Sequence, residues 1–92
     1  MIRLNCFIII EKAENRKPLA EAVTELVELS LHDAGVITYE GFTSMTTDNH
    51  MMIIETWQDE ESLAAHMQSD HFKRLVPRIE ELGTLTLEKF TF

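Results

Sequence analysis

An α+β domain with the order strand, helix, strand, strand, helix, strand is predicted by three observations. Four stretches carry apolar residues at period two, as half-buried or fully buried strands do. Two intervening stretches carry them at helical spacing, and a short polar run, Thr46-Thr47-Asp48-Asn49, joins the middle strands as a hairpin. The outcome is two βαβ-like halves meeting at that hairpin, the split βαβ or ferredoxin-like plan, βαββαβ.

The first strand runs from Ile2 to Ile10. Ile2, Leu4, Cys6, Ile8 and Ile10 point one way, and Arg3, Asn5, Phe7 and Ile9 the other. Asn5 is the polar exception in an otherwise apolar strand; it either satisfies itself on neighbouring backbone or faces a ligand cavity. After the polar Glu11–Glu14 connection, Asn15 is placed to cap a helix, with Pro18 in its first turn. Leu19, Ala22, Val23, Leu26, Val27 and Ser30 form its buried stripe, widened by Leu29 and Leu31, and Gly35 is expected to end it as a left-handed cap. His32 reads as a solvated residue of the last turn.

Val36 to Met45 is the second strand, with Ile37 and Tyr39 on one face and Val36, Thr38, Glu40 and Phe42 on the other. The third, from Met51, alternates Met51, Ile53, Glu55 and Trp57 against Met52, Ile54 and Thr56, so both faces are expected to be covered. Asp59 is an N-cap for Glu60–Met67, and Glu60 and Glu61 suit the positive end of that helix. Ser69 or Asp70 caps a second segment that buries Phe72, Leu75, Val76, Ile79 and Leu82. Pro77 should kink that segment or start a new turn. Gly83 closes it, and Thr84–Phe92 is the last strand, Leu85 and Leu87 on one face, Phe90 and Phe92 on the other.

Ninety-two residues make one domain, 1–92. With helices on one sheet face and Ile, Met and Phe on the other, the uncovered face should bury itself against a second copy, sheet against sheet, as a homodimer. The net charge of −8, from 16 acidic and 8 basic residues, argues against nucleic acid and anionic membranes as partners. It leaves a small uncharged or aromatic ligand open. Cys6, the one cysteine, reads as a small buried hydrophobe. With no signal-like leader and no apolar run of about 18 residues, a cytoplasmic location is expected. His66 and His71, five apart, should lie on different helix faces and lack the H-E-x-x-H pattern, so no metal site is expected.

Gly35-Val36-Ile37-Thr38-Tyr39-Glu40, Glu55-Thr56-Trp57-Gln58-Asp59, Leu63-Ala64-Ala65-His66 and Ser69-Asp70-His71-Phe72, in this order, resemble the antibiotic biosynthesis monooxygenase family over nearly the whole chain. The resemblance implies a dimeric α+β barrel with a ligand cavity between sheet and helices in each subunit. Its members include cofactor-independent oxygenases of quinols or anthrone-type aromatics, haem-degrading enzymes and a sugar isomerase. The family's cavity positions fall on Asn5, Tyr39, Trp57, His66, His71 and Phe72. The haem-degrading branch has a tryptophan where His66 stands and an axial histidine near Val76, and that departure argues against haem.

On this reading no cofactor is needed. His66 is the base that takes a phenolic proton, and Asn5 anchors the developing oxyanion. Trp57 stacks on a flat substrate, with Tyr39, His71 and Phe72 lining its site. The bland alternative is structural: His66 ties its helix to Glu55, and Trp57 fills the core. A non-catalytic ligand-binding dimer and an isomerase using the same pocket are the competing functions.

Overall fold

Strand β1 (Ile2–Ile9) leads through a short 3-10 turn (Ala13–Asn15) into α1 (Arg16–Ser30). The hairpin β2 (Val36–Thr43) and β3 (His50–Trp57) follows, then α2 (Glu60–Met67), α3 (Asp70–Leu82) and β4 (Thr84–Thr91). This computed structural model spans Met1–Phe92. The sheet has the order β2-β3-β1-β4, with every neighbouring pair antiparallel, the ferredoxin-like plan.

The caps of the second half form as their local chemistry dictates. Asp59 accepts from the Ser62 amide at 2.8 Å and the Ser62 hydroxyl at 2.7 Å, and those bonds hold its carboxyl below the usual range. The Ser69 hydroxyl accepts from the Phe72 amide at 3.2 Å and donates to the His66 carbonyl at 2.6 Å. One residue thus closes α2 and opens α3. Helix α3 runs unbroken through Pro77. Pro77 and Lys73, whose carbonyl loses its partner, are both exposed, so water can take the vacated bond.

The first half departs from local expectation at four places. Asn15 makes no cap bond; its amide donates to the Leu82 carbonyl at 3.3 Å, tying the start of α1 to the end of α3. Leu29 and Leu31 are 37% and 51% exposed and lie outside the buried stripe, because α1 meets the sheet through Leu19, Ala22, Val23 and Leu26. The helix stops at Ser30, and Gly35 (φ +79°) serves the following turn instead of capping it. A Cβ at Gly35 would stand 2.0 Å from the Ser62 Oγ, so this turn packs against the start of α2 with no room for a side chain. In β2 a bulge between Val36 and Thr38 sets Val36 opposite Trp57 and leaves Ile37 half exposed, which reverses the face expected for these two residues.

The core lies between the helices and one sheet face. Ile2, Cys6, Ile8, Met51, Ile53, Trp57 and Tyr39 meet Leu19, Leu26, Leu63, Leu75 and Ile79 there. Burial raises the Cys6 thiol to about 11, so it is a packed thiol at neutral pH. The other face is bare, with Phe7, Ile9, Phe42 and Phe90 each between 39% and 49% exposed.

Candidate functional site

The helix-covered end of the hairpin gathers the chemistry. Tyr39 and Glu55 are paired across β2 and β3, and Trp57 follows Glu55 on the same face. Trp57 donates its indole N–H to the Glu55 carboxylate at 2.8 Å in the interior. Desolvation raises the Glu55 carboxyl, opposed by the indole and the Tyr39 hydroxyl, which favour its charged form. Desolvation, and then the neighbouring Glu55, push the Tyr39 phenol up, so it stays neutral. Glu55 is therefore committed to the indole and not to His66.

His66 comes down from α2 onto this platform. Its ring lies 4.6 Å from that of Trp57, 5.4 Å from that of Tyr39 and 5.2 Å from that of Phe72. Its side chain is 1% exposed, and its partner is Asp33, in the turn that Gly35 shapes: Nδ1 stands 2.7 Å from Asp33 Oδ2. His71, from the start of α3, places Nε2 2.9 Å from the same oxygen. An ionised carboxylate only accepts, so both imidazoles donate to it. That fixes His66 with its proton on Nδ1 and a lone pair on Nε2. Nε2 is buried and has no hydrogen-bond partner. Burial lowers the His66 pKa and outweighs the hydrogen bond and charge of Asp33, which raise it, so the imidazole is neutral at neutral pH.

Five of the six residues singled out by sequence therefore converge: Tyr39, Trp57, His66, His71 and Phe72. Asn5 does not join them. It belongs to the bare sheet face, where its amide stands 3.4 Å from Glu88 Oε1 on the neighbouring strand, and the sheet separates it from His66. Period-two alternation with Cys6 packed inward forces this. Nor is there an open hollow at His66. Trp57 and Tyr39 are 0% and 4% exposed and fill the expected space, while the main cavities open elsewhere. One of about 410 Å³ lies between α1 and β2, lined by Ala20, Val23, Val27, Gly41, Phe42 and Met51 among others.

Asp33 escaped sequence reading. Its partners are 33 and 38 residues away, and no local spacing marks it. His66 and His71 do not diverge as their spacing of five predicts, because the chain breaks helix between them: α2 ends at Met67 and α3 begins at Asp70. Both rings then reach Asp33.

Residues 7–78 match the antibiotic biosynthesis monooxygenase family. The chain is 28% identical over 88 residues to YcnE of Bacillus subtilis, a presumed monooxygenase, covering 96% of this chain and 92% of that protein. A crystal structure from Bacteroides thetaiotaomicron, of a protein of unknown function suggested to be an oxidoreductase, superposes with a TM-score of 0.95. It shares 45% identity over 99% of this chain and 96% of that one. SnoaB, a cofactor-independent oxygenase from Streptomyces nogalater, shares the fold at a TM-score of 0.87 and 13% identity, over 99% of this chain and 91% of its own. With the matched segment taking in β3 and the whole of α2, the chain belongs to the antibiotic biosynthesis monooxygenase family.

Proposed function

We propose that this protein is a monooxygenase that uses no cofactor and oxidises a quinol-like or polycyclic aromatic molecule with dioxygen, with His66 as its base. The observation that carries the reading is the His66 ring itself: neutral, anchored through Nδ1 to Asp33, and presenting an unpartnered Nε2 among aromatic rings. A buried acceptor without a partner costs free energy unless something uses it, and a phenolic hydroxyl would.

Nε2 takes the phenolic proton, and the low-polarity surroundings leave the anion electron-rich. The anion passes one electron to dioxygen, and the radical pair combines into a peroxide. Loss of water from the peroxide leaves a new carbonyl; one oxygen atom enters the product, the other leaves as water, and the substrate supplies all the electrons. Asp33 acts as a positioning residue that sets the tautomer and steadies the imidazolium. Trp57 and Tyr39 form the apolar floor. The half-buried Phe72 stands at the edge of the cluster, and its displacement admits a flat ring.

The dimer belongs to the same proposal. Members of this family are typically dimeric, and Phe7, Ile9, Phe42 and Phe90 offer an apolar sheet face to a second copy. Asn5 then contributes to the interface and not to the oxyanion. The competing reading, a non-catalytic binding dimer in which Asp33 merely clasps α2 and α3 to the α1–β2 turn, draws support from the closed packing around His66.

An oxygen electrode with a panel of reduced quinones and anthrones separates the two. Protein-dependent oxygen uptake is expected, slowed about 100-fold or more in His66→Ala. Uptake no faster than autoxidation across the panel, or a His66→Ala enzyme within twofold of the parent, removes the catalytic reading.

A further inference from the structure

The Asp33, His66 and His71 cluster offers more than a tautomer clamp. Each residue comes from a different element, and each directs one ligand-capable atom to a common centre: Asp33 Oδ2, His66 Nδ1 and His71 Nε2 all lie within 4.8 Å of one another. We propose that this triad binds one divalent transition-metal ion of the zinc or cobalt class, exchanging its hydrogen bonds for coordination.

Two imidazoles and a carboxylate are a donor set that such ions accept, with a further position left for water. Donors around one tetrahedral ion stand roughly 3.3 Å apart, given bonds of about 2.0 to 2.2 Å. Here Oδ2 lies 2.7 Å from one nitrogen and 2.9 Å from the other. Moving Oδ2 out by about half an ångström and drawing the two nitrogens, which stand within 4.8 Å of each other, toward the same spacing admits the ion. The segments that must yield are a turn and the first turn of α3, not the sheet.

Access is available as well. The side chains of His71 and Asp33 are 16% and 18% exposed, so an ion can reach the cluster from their side while His66 remains sealed at 1%. No proton need leave the protein, because each neutral imidazole moves its proton to the nitrogen that does not bind the metal. The carboxylate already carries the negative charge that offsets part of the ion's, and the net charge of −8 favours cation approach.

Metal on Nδ1 has a consequence at the other end of the ring. The proton passes to His66 Nε2, which changes from acceptor to donor. If His66 is the base proposed above, a bound ion therefore switches it off; that clause rests on the proposed function, whereas the binding site does not.

The test is a titration of the intact protein with Co2+, read by its visible absorption, with Zn2+ binding followed by calorimetry. One ion per chain with a tetrahedral cobalt spectrum is expected. Asp33→Ala should abolish it, and His71→Gln, at a part-exposed position that leaves the fold intact by circular dichroism, should weaken it about tenfold or more. No saturable binding by the parent protein, or binding that survives both variants and so resides on His32 or His50, overturns the site. Because the readout is spectroscopic, a metal site without oxygenase activity and an oxygenase without a metal site are separate results.

Discussion

The two faces of the single sheet are built from the same four strands, yet they have opposite fates. On the helix-covered face Ile8, Ile53 and Trp57 are at most 3% exposed, whereas their neighbours Phe7, Ile9 and Phe90 remain 39% or more exposed on the other. Hydrophobicity does not separate the sets. What separates them is what lies above: α1, α2 and α3 close one face, and nothing in the chain closes the other. The covered face could therefore afford to bury a carboxylate, a phenol, an indole and an imidazole, each partnered or held neutral. The bare face mixes its aromatic and aliphatic residues with polar ones that pair along the sheet surface, Arg3 donating to Thr56 at 2.9 Å and Asn5 facing Glu88. The buried polar cluster sits where the fold excludes water by itself, and the exposed aromatic residues sit where it does not.

The largest test of that contrast is truncation of an aromatic on each face. Trp57→Ala should lower unfolding stability by about 3 to 5 kcal/mol in denaturant titrations, since it leaves a cavity under α2 and takes the indole N–H from the buried Glu55. Phe7→Ala, measured at dilutions that disfavour association, should cost less than about 1 kcal/mol. Equal losses would mean that the two faces are not energetically distinct.

Charge on the bare face probes the next level. Phe7→Asp combined with Phe90→Asp should convert a dimer to a monomer in sedimentation while circular dichroism is unchanged. A parent that sediments as a monomer, or a doubly charged variant that still dimerises, would place the interface elsewhere or nowhere.

The smallest effect is in pH. Burial lowers the folded-state pKa of His66 below its unfolded value near 6.5, so the unfolded chain binds more protons between those two values. The contribution to stability is whole above about pH 6.5 and is lost as pH falls through the lowered folded value. His66→Asn should flatten that part of the melting-temperature profile, and a slope unchanged by the substitution would assign the pH dependence to other groups. The acid limb of oxygen uptake should fall below the ordinary histidine range as well. Asp33→Asn should move it lower still, because the carboxylate is what holds the proton on.

Much of the molecule is legible in its sequence. Ile2, Cys6 and Ile8 alternate with Phe7 and Ile9 as read, and the Asp59 and Ser69 caps lie where an oxygen-bearing side chain precedes a helical stripe. The convergence of Tyr39, Trp57, His66, His71 and Phe72 followed from the family resemblance, whereas helix phase alone set His66 and His71 apart. Val36 and Ile37 were misread because a bulge adds a residue that alternation cannot register. Asn5 was assigned to the wrong side of the sheet for His66, although its parity opposite to Cys6 already carried that information.

Sequence alone determined the order of elements, the Asp59 and Ser69 caps and the alternation of β1, because each depends on residues one to four positions apart, where backbone geometry fixes the partner. Only the tertiary structure decided that Asp33 should hold His66 and His71 at once. It also decided that Trp57 should fill the expected hollow. Those outcomes depend on where the turn shaped by Gly35 comes to rest against α2, a matter of packing between segments about thirty residues apart that no local spacing encodes.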